Sequence, residues 1–443
     1  MTSPLSALTT IIVNGVQTLE SAYAKQGLSF PSLDESFKPG PLDDDPALSQ
    51  TTQMIVAAAF QIIATVRPPI ETTVQDFAPS MNMSAALGVV TDVHVADVLK
   101  DAGTQGLHVR GIGAKTGIDS SQLARVLRYL ATRHVFKEVT PNVFANNRLS
   151  SVLIKAKSLD EIKADPTAQY EGAPTAAIVG HITNEGLKSS AYIASYLEGD
   201  YKKAAAPFNL AMNKSSSIWD WYEEPGNEIL VRRFAAAMKG AGDRFPPSIF
   251  TNGFDWQSLK TDEVVVDVGG SMGTVTLMLL KAFPHLRYII QDLEKVLRDA
   301  NKVLIFSHDF FTPQPIKAAA VYFLRLVLHD WPQTESKKIL KNLREAAGPQ
   351  SKLVVFDMVV AHACPEATAT SDTPPTPKAE VPFPLLANYA AGRFVTMIDL
   401  QMLNLVNGLE RTPEEFLELG DATGWKLESV KPGPLTAFVF SAM

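Results

Sequence analysis

With 443 residues, 46% of them hydrophobic and 20% charged, the chain is long enough for two or three domains and too apolar to be disordered. A net charge of -7 and a pI near 5.7 leave no overall electrostatic footprint for nucleic acid. The single cysteine, Cys364, excludes an intramolecular disulfide, and with no basic, apolar leader at the N-terminus a cytoplasmic protein is expected.

Residues 1 to about 30 carry Leu5, Leu8, Ile12, Val16, Leu19 and Tyr23 at helical spacing, and Pro31 with the run Lys38 to Pro46 makes a loop. A second helix is expected over Met54 to Val66, ended by Pro68-Pro69 and too short for the ~20 residues of a membrane span. Neither helix is polar on enough sides to stand alone, so both are expected to pack on the rest of the chain or on a partner subunit. No membrane association is expected.

Between 84 and 156 the spacing predicts helices over Val93–Ala102 and Ile112–Thr116, then a third capped by Asp119 and running through Leu123, Val126, Leu127 and Leu130. Phe136–Val139 and Val143–Ala145, flanking Thr140-Pro-Asn142, form a short hairpin. Three helices and a β wing make a winged helix. Its third helix carries Arg125, Arg128 and Arg133, yet a few basic residues more often make a solvated face, and the chain is acidic, so no nucleic-acid partner is expected.

Helical patterns continue from about 160 to 260, including Ile218–Tyr222 and Val231–Ala241. Short apolar strands then alternate with helices at 264–268, 287–291, 302–306, 319–324, 352–358 and 437–441, the pattern of a doubly wound, mostly parallel α/β sheet. Residues 365–384, dense in Pro, Ala and Thr, read as an insertion.

The first of these strands, Val264–Val268, runs into Gly269, Gly270 and Gly273, and a helix follows from Thr274. A dinucleotide fingerprint needs G-x-G-x-x-G; here Asp267 stands two residues before the first glycine, which argues against a nicotinamide cofactor. The spacing resembles the acid-x-Gly-x-Gly-x-Gly turn of S-adenosylmethionine-dependent methyltransferases, with Ser271 in place of the middle glycine. Later strand ends add chemistry. Asp292 suits a ribose hydroxyl pair, or caps a helix over 293–300; Asp309 and Phe310 suit an adenine, although Phe310 and Phe311 could equally be core; Arg325 interrupts an apolar run just before His329-Asp330-Trp331-Pro332.

Asp267-x-Gly-Gly, Asp292, Asp309-Phe310, Arg325, His329-Asp-Trp and Glu410-Arg-Thr-x-x-Glu-Phe416, in that order, strongly resemble the plant and fungal small-molecule O-methyltransferases of the caffeic acid type, especially the fungal branch with its Pro207-Phe-Asn209 and His-Asp-Trp-Pro segments. The resemblance is specific over 264–416 and looser before 200. It implies a C-terminal Rossmann-like methyltransferase domain and an N-terminal, mostly helical winged-helix dimerisation domain, with expected boundaries at 1–160, 161–255 and 256–443.

It also implies S-adenosyl-L-methionine as cofactor, a small phenolic, aromatic or polyketide-like hydroxyl acceptor, and a homodimer. His329 would be the general base, flanked by Asp357 and Glu410; Asp357 is one methylene shorter than the glutamate of many relatives. Asp267, Gly269, Gly270, Gly273, Asp292, Asp309, Phe310 and Arg325 would hold the cofactor. Phe208, Trp219, Met238, Leu326, Met402 and Leu405 are expected around the acceptor, between the helical region and the α/β domain. With no cluster at metal-ligand spacing, no metal is expected. Two other readings stay open: cofactor binding with a non-methylating reaction such as a cyclisation, and a winged-helix regulator, which the acidic charge disfavours.

Overall fold

The computed structural model describes residues 3–293, 304–364, 381–390 and 392–443. The chain clusters into two compact units, Met1–Arg244 with Val381–Leu385, and Phe245–Glu380 with Leu386–Met443. Of the expected connector 161–255, residues 161–244 fall in the first unit and 245–255 in the second.

The first unit opens with a helix over Pro4–Lys25 and another over Pro46–Val66, each started by a side-chain cap, Ser3 and Asp45, and a proline in its first turn. Gly15 brings the two together, since a Cβ there would lie 2.5 Å from Ile55 Cγ1. The second helix begins eight residues before the expected Met54, and this corrects the length argument against a membrane span. This 21-residue helix, whose most apolar 18-residue window has a mean hydropathy of 1.2, is long and apolar enough to cross a bilayer by length and composition alone.

A winged-helix core follows. The expected helix over Val93–Ala102 is the shorter Val95–Leu99, preceded by a further helix over Met81–Asp92; between them His94 has φ of 61, which cannot continue a right-handed helix. The helices Val109–Thr116 and Ser120–Ala131 come next, and Asp119 caps the latter by accepting the Ser121 and Gln122 N–H groups. β1 (Leu107–His108), β2 (Lys137–Thr140) and β3 (Val143–Ala145) form the wing in the order β1-β3-β2. Val90, Leu99, Ile112, Leu123, Leu127, Phe136 and Phe144 share the core beneath.

The second unit contains β4 (Val264–Val268), β5 (Arg287–Asp292), β6 (Leu304–Ser307), β7 (Val321–Arg325), β8 (Lys352–Asp357), β9 (Trp425–Lys431) and β10 (Thr436–Ala442). Their order is β6-β5-β4-β7-β8-β10-β9; the first five are parallel, and β10 runs antiparallel to both β8 and β9. Alternation of side chains fills both faces. Val266, Val268, Tyr322, Leu324, Leu353 and Val355 pack towards the helices Gln333–Ala346 and Pro413–Asp421, while Val265, Val321, Phe323, Val354 and Phe356 pack towards Pro247–Gly253 and Thr274–Ala282. Loops at the carboxyl ends of the parallel strands therefore lie together, where ligands of open α/β sheets bind.

β9 was not among the expected strands. Trp425 and Leu427 face inward and Lys426 and Glu428 outward. The expected helix after Asp292, residues 302–303 of the expected third strand and residues 365–380 of the Pro-rich insertion lie outside the described residues.

Candidate active site

β4 ends in the glycine turn, and the chain's own atoms explain its glycines. Gly269 and Gly273 have φ of 72 and 73; a Cβ on Gly273 would lie 2.1 Å from Ile290 Cδ1, and one on Gly269 2.9 Å from Val327 Cγ2. At Gly270 a Cβ would sit 2.6 Å from the Asp267 carboxyl. Asp267 is thus packed directly beneath the turn, 4% exposed, accepting a hydrogen bond from Thr276 Oγ1. Burial pushes its pKa up to about 6, and the Asp292 charge adds to that, while the Thr276 bond and the Arg325 charge oppose it.

Ser271, standing where the resembled motif has glycine, has φ of 50, a conformation glycine reaches without strain. Its N–H donates to Asp292 Oδ2, and Leu293 N–H donates to Asp292 Oδ1. Each carboxylate oxygen of Asp292 keeps lone-pair capacity for a further donor. Asp309 is exposed at the end of β6, its Oδ1 accepting the Phe311 N–H; Phe310 stands against Phe311 and Trp331, and its Cε1 would lie 3.6 Å from a Cβ on Gly269. Arg325 ends β7 with its Nε buried and unpartnered, in the field of Asp267 and Asp357. A cofactor with a ribose diol and a charged amino-acid end fits this set: Asp292 retains acceptor capacity, and Arg325 holds an unused buried donor.

His329 lies just beyond β7 in the short turn Leu328–Asp330. Its Nδ1 is 2.8 Å from Glu410 Oε1, and its Nε2 is 3.6 Å from Asp330 Oδ1. Glu410 follows the helix Gly392–Val406, and its N–H donates to Asp399 Oδ1. Asp357 closes β8 next door, 1% exposed, with Oδ2 unpartnered, as is Glu410 Oε2. One donor atom from each of His329, Asp357 and Glu410 lies within 4.8 Å of the others. Such a set has the chemistry to hold a divalent cation as well as a proton.

Burial alone would lower the imidazole pKa. The charge of Asp330, the hydrogen bond to Glu410 and the charges of Asp357 and Glu410 outweigh it and push His329 up to about 10. Burial and the charges of Glu410 and Asp330 raise Asp357, against the opposing charges of His329 and Arg411. The arrangement is one strongly basic imidazole held by buried carboxylates. Nδ1 faces Glu410, so in the neutral ring Nε2 is the acceptor; with the pKa raised to about 10 the ring is largely protonated at neutral pH and both nitrogens are donors.

The chain belongs to the O-methyltransferase family. The O-methyltransferase domain family matches residues 250–374, and the O-methyltransferase dimerisation domain matches 75–156. An O-methyltransferase of Armillaria gallica is 35% identical over 97% of this chain and 96% of that protein. The 4-O-methyltransferase 1 of Phanerochaete chrysosporium is 32% identical over 97% and 96%. Among solved structures, LepI in complex with S-adenosylmethionine covers 97% of this chain and 99% of that one with a TM-score of 0.64 at 20% identity, a likeness of fold.

For this O-methyltransferase the residues expected around the acceptor divide between the units. In the first, Phe208 is fully buried against Trp221, Trp219 packs on Phe234, and Met238 is 42% exposed. In the second, Leu405 is buried, Met402 is half-buried, and Leu326, with φ of 51, is half-buried beside the core beneath β7. Asp330 and Asp399 also join the site. Asp330 adjoins the histidine in sequence, which could have signalled it; Asp399, on the helix Gly392–Val406, accepts the Glu410 N–H directly, and no local pattern announces that.

Proposed function

We propose that this O-methyltransferase uses S-adenosyl-L-methionine to methylate a hydroxyl of a small phenolic, aromatic or polyketide-like metabolite, with His329 as general base. The observation that carries this reading is the His329–Glu410 hydrogen bond of 2.8 Å, beside the turn and acids of the cofactor edge.

Asp292 would hold the ribose hydroxyls, Asp309 and Phe310 the adenine, and Arg325 the amino-acid end. S-adenosylmethionine supplies an electrophilic methyl group on a positively charged sulfur. His329 Nε2, in the neutral ring, would take the proton of the acceptor hydroxyl as the methyl group is transferred, leaving the ring as imidazolium. Glu410 keeps the ring oriented and stabilises the imidazolium formed, with Asp357 and Asp330 adding negative charge. A free phenol, with a pKa of about 10, is matched to an imidazole raised to about 10.

We also propose a homodimer built on the first unit. The dimerisation domain supports it, as do exposed apolar side chains continuing from the second helix: Phe60, Ile63, Val66, Ile70, Val74 and Phe77.

Incubation with S-adenosylmethionine and a panel of simple phenols, read by mass spectrometry, tests the reaction. Methylated phenol and S-adenosylhomocysteine in equal amounts are expected; turnover of a substrate without either would support the non-methylating alternative.

A further inference from the structure

Arg411 is 1% exposed; its charge acts on Asp357 and Glu410, but its hydrogen bonds go to other groups. Nη1 donates to the Leu328 carbonyl at 2.8 Å, and Nη2 to the Trp331 carbonyl at 3.0 Å and to Ser336 Oγ at 2.8 Å. Nε donates to Gln333 Oε1 at 3.2 Å. The two carbonyls bracket the turn Leu328–Asp330 that carries His329.

Its neighbours grip the same turn. Leu409 N–H donates to the His329 carbonyl at 3.0 Å, and Glu410 takes the ring. Gly408 lies so close that a Cβ would sit 2.1 Å from the His329 oxygen. The strip is itself anchored to the segment beyond Asp357, where Val359 bridges Arg411 and Val360 N–H donates to the Arg411 carbonyl.

We infer that residues 408–411 form a clamp on the His329 turn, in which Arg411 is a positioning residue that fixes the imidazole against Glu410 and Asp330. The inference rests on the proposed reaction for its effect on rate, but not for its effect on His329. A planar guanidinium spans the acceptors around the turn; a lysine ammonium cannot meet them all in one plane. Without the clamp the turn can drift from Glu410, and the ring loses the contact that raises its basicity.

The test compares wild type with Arg411→Met, Arg411→Lys and Gly408→Ala. NMR of ¹⁵N-histidine-labelled protein follows the His329 ring, assigned by its loss in His329→Asn, and kcat and KM are measured against pH with an accepted phenol. In Arg411→Met the ring pKa is expected to fall by about one unit or more, with the acidic limb of kcat/KM following it. The kcat is expected to drop about 10²-fold with KM little changed, the effect of a misplaced reacting group.

Arg411→Lys is expected to lie between that variant and wild type. Wild-type ring titration and pH limb in folded Arg411→Met, accompanied only by a lower melting temperature, would reduce Arg411 to a structural residue and overturn the clamp. If Arg411→Met does not fold, the same shift in Gly408→Ala and Arg411→Lys supports the clamp, and wild-type titration in both overturns it. A ring pKa that moves while all rates stay unchanged leaves the clamp standing and removes His329 from the chemistry.

Discussion

Glu410 Oε1 lies 2.8 Å from Nδ1 of His329, joining residues 81 apart in sequence, and its backbone N–H is held by Asp399 Oδ1. The carboxylate is thus oriented before it orients the imidazole. Replacing Glu410 by Gln removes the charge and keeps the shape. The imidazole pKa then falls from about 10 towards its ordinary 6.5. The acidic limb of the kcat/KM profile moves to lower pH and the plateau drops about 10-fold or more. A pH-rate series on both proteins checks this.

The same pair has a stability signature. The folded pKa of His329 is raised, so its contribution is fully present below 6.5 and fades as pH rises through about 10. The stability advantage of wild type over Glu410→Gln, from urea titrations, is expected to be largest near pH 6.5 and to shrink towards pH 10. A constant difference across that window would mean the two residues do not share a proton.

At the glycine turn, Gly273→Ala forces a side chain into φ of 73 and against Ile290, at an expected cost of about 2–4 kcal/mol. Ser271→Gly relieves a φ of 50 and is expected to change stability by less than about 1 kcal/mol, because the freer unfolded chain offsets the relief. Denaturant midpoints at constant slope measure both.

In the first unit the buried ion pair of Arg233 with Glu185, next to Tyr222 and His181, makes a third prediction about stability. Arg233→Met leaves the buried Glu185 carboxylate without its guanidinium partner, and costs about 3–5 kcal/mol. Adding Glu185→Gln to it is expected to recover part of that loss. Thermal melts of the single and double variants decide it.

The exposed apolar run predicts that Phe60→Glu with Ile70→Glu gives monomers by light scattering, with helical content unchanged.

Much of the second unit was legible because the parallel strands are buried on both faces and read as apolar runs: Val264–Val266 and Val321–Leu324 needed no context. Trp425–Lys431 was less visible, as it alternates and follows a helix closely. The helix break at His94 has no Gly or Pro to announce it. Order and spacing in the sequence single out Asp267, Asp292 and His329. The reason for the glycines was not legible there, because it lies in Asp267, Val327 and Ile290 across the turn. Asp399 and Arg411 act through backbone groups, and which backbone groups meet is a tertiary fact.

The central claim is tested most directly by the rate of methyl transfer to an accepted phenol in His329→Ala, measured as S-adenosylhomocysteine formed per active site. The account predicts a loss of about 10²-fold or more with the fold intact. Full wild-type turnover in His329→Ala would contradict it.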